Sequence, residues 1–169
     1  MNDHGHGHRH ETAERQRAKV LTVSDGVAHG VREDRSGEAL ASRLAEAGFD
    51  VVEQRVTADG ADAVAAVLRE MTDGFAGVVV STGGTGFAPR DQTPEGTRAV
   101  IERDAPGLAE AMRLCNPLGR LSRGVAGVRG DAIILNAPGS TKGCVEQLEA
   151  VLDVLPHALR LLHDADTSH

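Results

Sequence analysis

Three consecutive β-branched residues, Val78, Val79 and Val80, run directly into Ser81-Thr82-Gly83-Gly84-Thr85-Gly86, and no other segment restricts the fold as tightly. An unbroken apolar run without alternation suits a strand covered on both faces, as in a parallel sheet. Such a strand needs helical crossovers, and the chain supplies them. VLTVS at 20–24 reads as a first strand, and residues 36–47 place Ala39, Leu40, Leu44 and Ala47 at helical spacing before Gly48 closes the helix. Residues 50–56 read as a second strand and 77–81 as the third. Between them, 61–71 carry Val64, Val67, Leu68 and Met71 on one helical side. This β-α-β-α-β order predicts a parallel sheet with helices on both faces and ligands at the carboxyl ends of its strands.

Further on, a helix over 97–104 is expected to stop at Pro106-Gly107 and another to span 108–114, then a turn at Asn116-Pro117-Leu118-Gly119. Residues 121–128 and 132–136 read as short strands joined by Arg129-Gly130-Asp131, a pair that runs antiparallel most easily, so the sheet is expected to be mixed. A last helix is expected over 143–162 with a bend at Pro156.

At 169 residues the chain suits one domain, assigned here to 17–164, since domains commonly run about 100 to 200 residues. Residues 1–16 are polar, glycine-interrupted and histidine-rich, and are expected to form a mobile tail, with 165–169 as a C-terminal tail. His4, His6, His8 and His10 recur at every second position, which suits Ni²⁺, Zn²⁺ or Cu²⁺; a flexible polar extension is the plainer reading.

Composition removes several functions. Phe49, Phe75 and Phe87 are the whole aromatic complement, and the net charge is -7, so neither base stacking nor phosphate-backbone binding is supported and no nucleic-acid partner is expected. No apolar stretch approaches the roughly 20 residues of a membrane span, and no signal-peptide core opens the chain, so no membrane partner is expected either. Cys115 and Cys144 lack CxxC spacing, which points to thiols kept reduced in the cytoplasm.

In a parallel sheet, Ser24-Asp25, residues 81–91 and residues 136–142 gather at one edge. Gly83, Gly84 and Gly86 let backbone N–H groups approach a ligand, and Thr85, Ser140 and Ser24 add hydroxyls, a lining that suits phosphate oxygens. Thr93-Pro94-Glu95 reads as a helix start, with Thr93 as its cap. Neither GxxxxGK[ST] nor GxGxxG is present. Asp91 reads either as a metal-holding carboxylate or as a cap of its own loop, and Asp59 either as a second such carboxylate or as the N-cap of the helix after it. Two carboxylates at this edge could share a magnesium ion with substrate phosphates. Ser122-Arg123 adds a hydroxyl and a guanidinium suited to anions.

The set SDG at 24–26, STGGTGFAPRDQTPE at 81–95, LSRGVAG at 121–127 and ILNAPGSTKG at 134–143 resembles the MogA/MoaB family of molybdopterin adenylyltransferases, over about residues 19–164. The resemblance implies the molybdopterin-binding fold, a three-layer α/β/α sandwich on a mostly parallel sheet, assembled as a homotrimer. It implies Mg²⁺ and ATP as cofactor and co-substrate, molybdopterin as the acceptor, pyrophosphate release, and a molybdate-insertion enzyme as partner. It assigns Asp59 and Asp91 as catalytic, metal-binding acids and Ser122 to the pterin. Gly83, Gly84, Thr85 and Gly86 fall at the nucleotide phosphates, and Pro138, Gly139 and Ser140 in the second loop, where Ala137 and Thr141 depart from the family's LPGxP. Ser24 and Asp25 are candidates for the same substrate-binding edge. A catalytically silent molybdopterin-binding or scaffolding paralogue is the alternative.

Overall fold

The computed structural model describes residues 14–164. Residues 1–13 of the tail expected at 1–16, and the whole tail expected at 165–169, lie outside the described residues, with their histidines. Gln16, assigned to the tail, is bonded to the domain: its side-chain amide donates to the Pro156 carbonyl at 3.0 Å, and its carbonyl accepts from Asp50 N–H at 2.9 Å.

Six strands form one sheet in the order β2-β1-β3-β6-β5-β4. β1 (Arg17–Val23), β2 (Asp50–Thr57), β3 (Gly77–Thr82) and β6 (Ala132–Ala137) pair in parallel, while β5 (Ala126–Arg129) runs antiparallel to both β6 and β4 (Arg103–Asp104). The mixed sheet is as expected. Every residue of β3 and of β6 is buried, because helices cover both faces.

Strand periodicity sorts the core into two layers. Ala18, Val20, Val78, Val80, Ile133 and Leu135 face one side, against Leu40 and Leu44 of α2 (Arg35–Glu46), Met112 of α5 (Pro106–Leu114), Leu148 of α6 (Thr141–Leu152) and Leu159 of α7 (Leu155–His163). Leu21, Val23, Val79 and Ile134 face the other, against Val64, Leu68 and Met71 of α3 (Ala61–Thr72) and Val100. The result is the expected three-layer α/β/α sandwich. No helix among the described residues is long and apolar enough to cross a membrane.

Four local expectations are corrected. The helix placed at 97–104 is instead α4 at Thr93–Arg98, with Thr93 as its first residue and Gln92, without a side-chain cap bond, at the N-cap position. Sheet pairing claims residues 102–105, since Glu102 N–H donates to Val128 at 2.8 Å and Ala105 N–H to Ala126 at 2.9 Å. Residues 117–121 form a 3-10 turn, so the strand expected from 121 begins only at Ala126. The last helix is divided at Asp153-Val154. Pro156 lacks an N–H and its ring would strike the carbonyl four residues earlier, at Leu152, where α6 ends. A one-turn helix, α1 (Asp25–Ala28), was not foreseen; Ser24 caps it, accepting from Val27 N–H at 3.3 Å.

Candidate active site

Because β1, β2, β3 and β6 run in one direction, the segments after Val23, Thr57, Thr82 and Ala137 emerge on one edge. There they are tied together. Ser24 N–H donates to Thr57 at 3.0 Å and Gly83 N–H to Ala137 at 3.1 Å. The Thr82 hydroxyl donates to Pro138 at 2.8 Å. Behind this edge the buried Asn136 amide donates to Ser81 Oγ and Thr97 Oγ1, each at 3.0 Å, and its oxygen accepts from Val125 N–H at 3.1 Å.

The glycine loop after β3 is held from both flanks. Gly83 and Gly84 have φ of +101° and +67°, and a Cβ at Gly83 would overlap the Val23 carbonyl, so only glycine allows this approach. The Thr93 hydroxyl donates to Gly83 at 2.8 Å, and Thr93 N–H donates to Gly84 at 3.0 Å. From the other side, Arg123 N–H donates to Thr85 at 2.8 Å. Its guanidinium donates to the carbonyls of Gly86 at 2.8 Å and Asp91 at 2.5 Å, and pairs with Glu95. That pairing holds the Glu95 carboxyl below the usual carboxylate range. Arg123 therefore fastens the loop, and its guanidinium is not the anion receptor that its sequence suggested.

Two cavities open on this edge. The first, about 490 Å³, is lined by Gly84, Thr85, Gly86, Asp91, Ser122, Pro138, Gly139 and Ser140, with Leu118, Leu121, Asn116 and Gln147. The second, about 720 Å³, is lined by Ser24, Asp59, Gly83, Gly84, Asp91, Gly139 and Ser140, with Arg32, Arg35, Ser36 and Thr141. Gly84, Asp91, Gly139 and Ser140 belong to both, which makes one cleft with two lobes. Its serine hydroxyls are pre-set: Ser24, Ser122 and Ser140 accept from Val27, Gly124 and Gly143 N–H groups. Each keeps its own O–H to donate to an anion.

The two acids differ in how they are held. Asp91 Oδ2 accepts from Ala88 N–H at 3.0 Å, so it caps its own loop while also lining both lobes. Asp59 does not cap α3, whose N-cap is Gly60 with no side-chain bond; Gln92 Oε1 accepts from Ala61 N–H there, at 3.1 Å. Asp59 Oδ2 accepts instead from Asp25 N–H at 2.9 Å, and Asp25 Oδ1 accepts from Asp59 N–H at 3.1 Å. Asp25 lines neither lobe. Its carboxylate takes a two-pronged contact from Arg90, at 2.6 and 3.0 Å, which holds its pKa below the ordinary range.

No group of three or more His, Cys, Asp and Glu among the described residues could hold a metal alone. Magnesium asks less of protein: one or two carboxylates, with waters and substrate phosphates completing its shell. Asp59 and Asp91, on the wall of the second lobe, fit that donor set. The supporting roles of Arg90, Gln92, Thr93 and Asn136 were missed in the sequence. Only the contact of Thr93 with a loop ten residues away lay within reach of a local pattern.

Residues 19–157 match the model of a probable molybdopterin binding domain. A molybdopterin adenylyltransferase of Helicobacter pylori strain J99 is 39% identical over 85% of this chain and 85% of its own length. The molybdenum cofactor synthesis protein cinnamon of Drosophila melanogaster is 38% identical over 86% of this chain, which spans 25% of that protein. Among solved structures, the molybdopterin biosynthesis enzyme MoaB of Thermus thermophilus superposes with a TM-score of 0.81 at 48% identity, covering 87% of this chain and 96% of that one.

Proposed function

The chain belongs to the molybdopterin-binding domain family, in its MogA/MoaB group, and we infer that it adenylylates molybdopterin with Mg-ATP and releases pyrophosphate. The observation that carries this reading is the shared wall of Gly84, Asp91, Gly139 and Ser140 between two lobes. Two ligands seated in adjoining lobes would meet at that wall. Volumes of about 490 and 720 Å³ lie within the roughly 300 to 1,000 Å³ common for small-molecule sites.

The lobe with Leu118, Leu121, Ser122, Asn116 and Gln147 offers apolar walls and amide groups for a pterin ring. The lobe with Arg32, Arg35, Ser24 and Thr141 offers cations and hydroxyls for a triphosphate. An oxygen of the molybdopterin phosphate attacks the α-phosphorus of ATP. The bond from that phosphorus to the α,β-bridging oxygen breaks, its electron pair leaves with pyrophosphate, and a new phosphoanhydride joins AMP to the pterin. The attacking oxygen is already ionised at neutral pH, so no protein base or nucleophile is required. Asp59 and Asp91 would hold magnesium, which would supply charge neutralisation at the triphosphate. The glycine loop contributes N–H groups, and the rigidity of its fastening fixes where the phosphates lie.

The same reading carries a homotrimer, with exposed Leu114 and Phe87 as available contact groups, delivery of the product to a molybdate-insertion enzyme, and a cytoplasmic location suited to the free thiols of Cys115 and Cys144. Purified protein, molybdopterin and Mg-ATP should release pyrophosphate in step with adenylylated product. Asp91→Asn should lower kcat by about 100-fold or more while leaving pterin binding and folding intact. Pterin binding without pyrophosphate release by the unaltered protein refutes the transferase and identifies a silent pterin-binding paralogue.

A further inference from the structure

Asp59 sits in the cleft without support from its own segment. Gly60, at φ +120°, separates it from α3, and the helix it precedes is served by Gln92. What orients its carboxylate comes from elsewhere in the chain. Oδ2 is occupied by the N–H of Asp25 at 2.9 Å, while Oδ1 is the oxygen nearest the glycine loop, 3.2 Å from where a Cβ on Gly84 would stand. Asp25 is fixed in its turn by Arg90, whose Nε donates to Oδ2 at 2.6 Å and Nη2 to Oδ1 at 3.0 Å. The same Nη2 donates to the Asp59 carbonyl at 3.0 Å.

Arg90 thus touches both partners of the reciprocal pair. It also directly precedes Asp91 in the chain. One guanidinium therefore fastens the loop that carries Asp91 to the loops that carry Asp25 and Asp59. It also pairs its positive charge with the Asp25 carboxylate beside the Asp59 loop. A planar fork with fixed donor directions suits this task better than a flexible ammonium.

We propose that Arg90 and Asp25 are positioning residues that set the placement of Asp59 relative to Asp91, and so present Asp59 Oδ1 to the glycine loop. This rests on the adenylyl-transfer reading above. Neither residue lines the cleft, so both act through Asp59 rather than on substrate.

The test uses the full chain with Arg90→Gln, Arg90→Lys, Asp59→Asn and the Arg90→Gln/Asp59→Asn double variant. Pyrophosphate release is measured at steady state and Mg-ATP affinity by equilibrium titration. Arg90→Gln is expected to lower kcat about 10- to 100-fold, with KM for molybdopterin changed less than about twofold, and Arg90→Lys to recover part of the loss. In the Asp59→Asn background, Arg90→Gln should add less than about threefold, because a residue acting through Asp59 has nothing left to position. A wild-type kcat in Arg90→Gln, or full multiplication of the two losses in the double variant, overturns the proposal. If the unaltered protein releases no pyrophosphate, the transfer reading fails and the titration decides the pair alone. Mg-ATP affinity about tenfold weaker in Arg90→Gln, with no further loss in the double variant, upholds it. Affinity that does not depend on Arg90, including no binding at all, overturns it.

Discussion

Arg123 Nε donates to the Gly86 carbonyl at 2.8 Å across 37 positions of sequence, and this one bond identifies the segment after the 3-10 turn as the outer brace of the glycine loop. The other arms of Arg123 reach the Asp91 carbonyl and Glu95. Replacing Arg123 with Ala releases the loop and the backbone of Asp91 together. Misplacement of reacting groups by about 1 Å can cost roughly 100-fold in rate, so kcat should fall about 10- to 100-fold in pyrophosphate release. Stability should change little, by about 1 kcal/mol or less in urea titration, because the ion pair is half-exposed and screened. Arg123→Lys should recover little of the rate, since an ammonium cannot reach these acceptors as a planar fork does.

Gly84 separates backbone strain from site geometry. Its φ of +67° and that of Gly130 at +55° impose a similar penalty on any side chain, roughly 1 kcal/mol for alanine. A Cβ at Gly130 meets nothing within 4 Å, whereas at Gly84 it overlaps Thr93 Oγ1 and comes within 3.2 Å of Asp59 Oδ1. Gly130→Ala should therefore cost about 1 kcal/mol with unaltered turnover. Gly84→Ala should remove turnover by about 100-fold or more while the thermal transition stays cooperative. Equal kinetic effects of the two variants would contradict the placement of Gly84 beside the acid.

The parallel half of the fold was legible because its central strands are buried throughout and its helices keep their spacing. Val78 to Val80, and the helical spacing of Leu40 and Leu44 or Val64 and Leu68, carry their own periodicity. The antiparallel edge was less so. Residues 99–104 are compatible with a helix by local preference, and only the ladder partners Val128 and Ala126 decide against it. The motif residues of the site announced themselves as a glycine loop with carboxylates. Their supports did not, because Arg90 meets Asp25 at a separation of 65 positions and Asn136 meets Ser81 at 55. Nothing in one chain's local pattern distinguishes such an arginine or asparagine from a solvated one.

Asn136 is the buried test of that hidden framework. Its side chain satisfies Ser81, Thr97 and the Val125 N–H at 2% exposure. Asn136→Ala leaves the Val125 N–H without its acceptor and takes a donor from Ser81, which keeps its bond to the Leu135 carbonyl, and from Thr97, at about 1 to 3 kcal/mol for a buried unpaired group. A loss of about 3 kcal/mol in urea denaturation is expected. Asn136→Asp, isosteric but unable to donate to Ser81 and Thr97 when ionised, should not restore stability at neutral pH. A loss below about 0.5 kcal/mol for the alanine variant would show that the network is not a structural tie.

Cys144 predicts the alkaline side of the stability curve. It is fully buried in the core between α2 and the sheet, and that burial pushes its thiol from 9.0 up to about 11. Below the ordinary thiol value both folded and unfolded chains keep the proton, and the contribution is fully present. Between pH 9 and about 11 the unfolded chain ionises while the folded one does not, so stability falls as pH rises; beyond that the folded thiol ionises as well and the loss levels off. The difference of about two pKa units corresponds to about 3 kcal/mol at most. Chemical denaturation from pH 8 to 11 should therefore show a steeper decline for the unaltered protein than for Cys144→Ala, even though the variant starts lower through its lost packing. Parallel curves would mean that the buried thiol does not titrate with unfolding. The chain has no tyrosine to confuse that range, and Cys115, also raised by burial, contributes equally to both proteins.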